Sequence, residues 1–96
     1  ITDSLRNAGA RVVVGAVLPV NGNNLHNLRR AQLNAQIRAN LGMKFDAVAD
    51  FAALPDMGCD SCAANLTYFS DGVHPTGTGH STMQPTYKAA VERAFQ

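Results

Sequence analysis

Apolar residues follow two different periods along the chain. Val12, Val13, Val14, Val17 and Leu18 crowd into a run with no polar alternation, which predicts a strand over 10–18 covered on both faces in a parallel sheet. Pro19 ends the run, and Asn21-Gly22-Asn23-Asn24 reads as a turn and helix cap. From about Leu25 to Leu41 the period changes. Leu33, Ile37 and Leu41 recur at i, i+4 and i+8, a core stripe on a helix, with Ala31 and Ala35 allowing close approach. Arg29, Arg30 and Arg38 read as its solvated side, and Gly42 closes it. A short mixed strand is expected over Phe45 to Phe51. A last helix over roughly Thr82 to Phe95 would bury Tyr87, Val91 and Phe95, with Pro85 near its start. At the other end, Thr2 or Asp3 can cap a helix to about Ala8 that turns Leu5 and Ala8 inward and stops at Gly9.

This order implies an α/β domain with parallel strands. Two strands make a poor sheet alone, so neighbours are expected from an upstream segment or a partner chain. The chain opens at Ile1 inside a predicted helix, as a piece of a longer protein would. Ala52 to Thr78 has no clear period, and long irregular segments in small domains are often functional.

Composition narrows the function. The 96 residues are 46% hydrophobic and 16% charged, a globular balance. A net charge of +1 gives no electrostatic case for nucleic acid or an anionic membrane surface. No apolar run approaches the roughly 20 residues that span a bilayer.

Chemistry concentrates in Ser70-Asp71-Gly72-Val73-His74-Pro75-Thr76. Gly72 and Pro75 argue against a helix there, so the expected form is a tight loop in which Asp71 reaches back to the His74 ring. A carboxylate orienting an imidazole that acts as base is two-thirds of a hydrolytic triad. The bland alternative is a capped turn beside a surface histidine. Cys59 and Cys62 fit a short disulfide in a secreted chain. They also fit a zinc module of another class, in which Cys59, Cys62, His74 and His80 approach two-Cys, two-His spacing. Pro75, Gly77 and Gly79 between the histidines weaken that option, because finger histidines share one helix. Asp50 reads as a strand-end cap rather than a carboxylate behind the Asp71–His74 pair, His26 as a surface residue, His80 as a packing or capping residue rather than a ligand, and Tyr68 and Phe69 as packing under the loop rather than lining of a pocket.

Ser70 to Gly79, followed by His80, resembles the last sequence block of the SGNH (GDSL-type) esterase and lipase family, where the catalytic Asp and His stand as D-x-x-H before the final helix. Val12 to Pro19 resembles that family's strand ending in Pro, Leu33-Asn34-Ala35 its helix with a recurring Asn, and Val48 to Phe51 its following strand. The likeness covers nearly the whole chain but only the C-terminal half of a typical member. It implies that residues 1–96 belong to one hydrolase domain, a partial three-layer α/β/α (flavodoxin-like) sandwich. It implies a carboxylic ester hydrolase, extracellular or periplasmic, using no cofactor or metal. Asp71 and His74 would be catalytic, and the partners an ester substrate and the N-terminal half of the same enzyme. The family's Gly-Asp-Ser block and its two oxyanion blocks have no counterpart here. Ser4, Ser61, Ser70 and Ser81 stand in other contexts. The isolated chain is therefore expected to be inactive.

Overall fold

Val13–Gly15 (β1) pairs in parallel with Ala47–Ala49 (β2), Val13 opposite Ala47 and Gly15 opposite Ala49, in a computed structural model that describes residues 1–96. Around this two-stranded sheet lie three helices: α1 (Thr2–Asn7), α2 (Asn24–Ala39) and α3 (Gly77–Ala94). Two short 3-10 turns, Phe51–Ala53 and Cys62–Ala64, lie in the segment between β2 and α3. The architecture is a small partial α/β fold. No helix is long and apolar enough to cross a membrane.

The strand predicted over 10–18 shrinks to three residues for a specific reason. Ala16 makes a last ladder bond to the Ala49 carbonyl, 3.0 Å, and then side chains from α2 take over the backbone. The Asn34 carboxamide accepts from Val17 N–H at 2.8 Å and donates to the Val17 carbonyl at 3.0 Å. Asn27 repeats this at Val20, at 3.0 and 3.1 Å. The spacing matches. Seven helical residues rise about 10.5 Å, and three extended residues span about 10 Å. Each carboxamide imitates a strand neighbour and meets a peptide's donor and acceptor together.

The helix stripe expected from Leu33, Ile37 and Leu41 is corrected by these contacts. Buried residues of α2 are Asn27, Arg30 and Asn34, while Leu33 and Leu41 are half exposed. Arg30, expected in solvent, is only 7% exposed. The inward face is polar because it packs on backbone that has left the sheet and needs partners.

α3 begins five residues before the expected Thr82. Thr76 caps it, its hydroxyl accepting from Gly79 N–H at 3.1 Å. Its buried residues are Gly79, Ala90 and Ala94, not Tyr87 and Phe95, which are exposed. Small residues bring the helix close to the sheet: Ala47 and Ala49 pack on Ala90 and Ala94, flanked by Val13 and Phe51. Pro85 lies inside the helix on an exposed position. A second cluster, Met57, Cys62, Ala63 and Phe69 with Leu18, Leu54, Tyr68 and Met83 around it, fills the space under the irregular segment. α1 buries nothing, so Leu5 and Ala8 do not point into a core. It is tethered by Arg6, which donates to the Met43 carbonyl at 2.8 Å and pairs with Asp46 at 3.4 Å.

Candidate active site

The segment Ser70–His74 is a tight excursion closed at its base. Phe69 and Pro75 form an antiparallel bridge. Ser70 N–H donates to the His74 carbonyl at 2.8 Å, and Thr76 N–H to the Tyr68 carbonyl at 2.9 Å. Gly72 turns the chain at φ +80°, a left-handed value that a Cβ disfavours. The Gly72 carbonyl accepts from Asn21 N–H at 2.9 Å, docking the turn against the connector that leaves β1. Under it lie Phe69 and Met57, both fully buried, and the Cys62–Ala64 turn.

Asp71 organises this turn from inside. Its Oδ1 accepts from Val73 N–H at 3.0 Å and His74 N–H at 2.7 Å. Its Oδ2 lies 2.7 Å from His74 Nδ1. These bonds favour the charged carboxylate. The His74 N–H first, then the His74 ring and the Val73 N–H, lower the Asp71 pKa from 3.8 to about 2. An ionised carboxylate only accepts, so the hydrogen between the two side chains sits on Nδ1. In the neutral ring Nε2 then carries the free lone pair. The His74 side chain is 75% exposed, so Nε2 is open to a group arriving from outside the turn.

No serine fills that role within the chain. Ser70 Oγ donates to the His74 carbonyl at 3.3 Å, and Ser61 Oγ lies 3.5 Å from Cys59 Sγ. No serine hydroxyl hydrogen-bonds to the His74 ring.

Cys59 and Cys62 are joined as a disulfide. That removes both thiolates from the zinc alternative. No group of three or more His, Cys, Asp or Glu side chains is placed to hold a metal, so Cys59, Cys62, His74 and His80 do not assemble a site. His80 is exposed and borders a surface cavity of about 290 Å³ with Phe51, Met83, Gln84 and Tyr87. His26, expected at the surface, is half-buried with Nε2 3.1 Å from the Leu18 carbonyl. Asp50 forms a two-pronged pair with Arg38, at 2.9 and 3.0 Å, and does not reach the His74 ring. Phe69 packs under the turn and Tyr68 packs against the same cluster, both as expected, and the Tyr68 hydroxyl also reaches Asp56 at 3.3 Å, whose charge raises the phenol's pKa.

Sequence reasoning missed the inward placement of Asn27, Arg30 and Asn34, of which Asn34 was marked only through the family resemblance and Arg30 was expected in solvent. Arg30 donates to the Gly58 carbonyl at 2.8 Å, to Asp60 at 2.7 Å and to the Val17 carbonyl at 3.2 Å. It thereby ties α2 to both the connector and the disulfide segment, leaving its own Nε buried without a partner. The available signal was their spacing, i, i+3 and i+7, which places three polar side chains on one helix face.

No protein-family model matches this chain, and neither a curated protein nor a solved structure matches it.

Proposed function

We propose that this chain carries the base half of a serine-type carboxylic ester hydrolase of the SGNH kind, with His74 as general base and Asp71 as its orienter. The observation that supports this most is the Asp71–His74 pair: an ionised carboxylate 2.7 Å from Nδ1, and Nε2 open. In the proposed reaction His74 Nε2 takes the proton of a serine hydroxyl, the hydroxyl oxygen attacks an ester carbonyl, and the imidazolium returns the proton to the leaving alcohol. Water then releases the acyl group by the same proton path.

The serine and the oxyanion donors come, in this reading, from residues outside these 96. The sheet supports it: β1 and β2 pair only with each other, and Val13 and Val14 are only half-buried despite an apolar run suited to a covered strand. Further strands beside this pair would complete a three-layer α/β/α sandwich with parallel strands. The Cys59–Cys62 disulfide supports an extracellular or periplasmic setting.

The test is ester turnover by the chain alone and by its assembly with a polypeptide bearing a Gly-Asp-Ser segment. The assembly hydrolyses a small acyl ester, His74→Ala lowers that rate by about 10³-fold or more, and the chain alone is inert. An assembly rate indifferent to His74 overturns the proposal. Turnover by the chain alone that disappears in His74→Ala places the nucleophile within these residues.

A further inference from the structure

The turn that holds His74 sets its own internal shape through Asp71, but where it sits depends on the β1–α2 connector. The link is short. Asn21 N–H holds the Gly72 carbonyl at 2.9 Å, and Asn21 Cβ lies so close that a Cβ on Gly72 would meet it at 2.9 Å. Asn21 follows Val20, whose N–H and carbonyl are both held by the Asn27 carboxamide. Asn27 is buried and has no other hydrogen-bonded side-chain partner.

We infer that Asn27 is a positioning residue for His74, fixing the connector peptide whose next N–H anchors the Gly72 carbonyl. This rests on the reading of His74 as the base. The side chain touches no reacting atom and acts through Val20, Asn21 and Gly72. Asn34 provides an internal control. It grips Val17 with the same pair of bonds and is as deeply buried, but Leu18 and Pro19 separate its peptide from Val20. A general loss of packing affects both asparagines alike; a positioning role belongs to Asn27.

The experiment is NMR of the chain carrying Asn27→Ala or Asn34→Ala, with the amides of β2 and α3 reporting that the fold persists. In Asn27→Ala the Asn21 amide exchanges about tenfold faster or more, since its connector loses two hydrogen bonds. The Asn21–Gly72 proton contacts weaken, and the His74 ring signals broaden. In Asn34→Ala the Val17 amide exchanges faster while the Asn21 and His74 signals hold their unsubstituted values. Asn27→Asp is the milder companion should the alanine variant unfold. It keeps the volume and the bond from Val20 N–H but sets a carboxylate oxygen against the Val20 carbonyl, so the same Asn21 change follows. Unchanged Asn21 and His74 signals in the Asn27 variants, or equal changes in Asn34→Ala, overturn the inference. No substrate enters these readouts. Loss of the ester hydrolase reading would leave the coupling measurable, and loss of the coupling would leave the ester assay intact.

Discussion

The Asp71 carboxylate divides its two oxygens between the backbone and the ring of one residue, His74. Oδ1 accepts the His74 N–H at 2.7 Å and Oδ2 meets its Nδ1 at 2.7 Å. One side chain thus shapes the turn and aims the imidazole, so the two functions separate only under particular substitutions.

Asp71→Asn is the substitution that separates them. Its amide oxygen can still accept the Val73 and His74 N–H groups, so the turn persists. Its NH₂ now faces Nδ1, which must present a lone pair, and the ring proton moves to Nε2. Under the proposed function, ester hydrolysis by the assembly falls by about 10²–10⁴-fold with little change in unfolding midpoint. Asp71→Ala releases both backbone donors as well and additionally speeds amide exchange at Val73 and His74. Kinetics and exchange on the two variants check this.

Acid exposes the same bonds. The folded Asp71 pKa lies below its unfolded value, about 2 against 3.8. Its stabilising contribution is therefore complete above the unfolded value and is lost as pH falls toward 2. The Val73 and His74 amide shifts titrate together with a midpoint near 2. A midpoint in the ordinary carboxylate range contradicts the bonding described.

Three glycines of one small region respond differently to alanine. At Gly79 a Cβ would collide with the Tyr68 carbonyl oxygen and meet the Met57 and Pro75 side chains at 3.1 Å. Gly79→Ala costs about 1–3 kcal/mol by overpacking. Gly72→Ala costs a similar amount: about 1–2 kcal/mol from the left-handed backbone, with the Asn21 contact added. At Gly77, helical and with nothing within 4 Å of a Cβ, alanine stabilises by about 0.5–1 kcal/mol. Urea unfolding orders the three.

Arg30 is worth more for its carbonyl partners than for its ion pair. Asp60 is mostly solvent-exposed, so Asp60→Asn costs under about 1 kcal/mol. Arg30→Ala strips the Gly58 and Val17 carbonyls of a donor in a part-buried region and costs about 2–4 kcal/mol. Denaturant midpoints of the two variants test the ranking.

What could be read from the sequence was local. D-x-x-H with Gly and Pro around it pointed to a turn in which Asp71 reaches His74, because the Asp71 contacts go only to Val73 and His74. Asn23 capping α2, its side chain accepting from His26 N–H at 2.9 Å, was equally local. The inward faces of the helices were not. Leu33 and Leu41 matched a helical period but had no apolar surface to meet, since α2 lies against Val17 and Val20 backbone. Only long-range knowledge of that backbone turns Asn27, Arg30 and Asn34 into inward residues. In α3, Tyr87 and Phe95 lost to Ala90 and Ala94 because the helix approaches β2 too closely for large side chains. α3 starts earlier than the apolar period showed because Thr76 caps it from a position without that period, and Gly79 lets the helix pass the Tyr68 carbonyl.

Nitrogen-15 NMR of the His74 ring, with the imidazole neutral, addresses the base assignment most directly. The hydrogen should reside on Nδ1 in contact with Asp71, leaving Nε2 unprotonated. A ring with its hydrogen on Nε2, or one that shows no coupling to the Asp71 carboxylate, contradicts His74 as a base awaiting a serine hydroxyl.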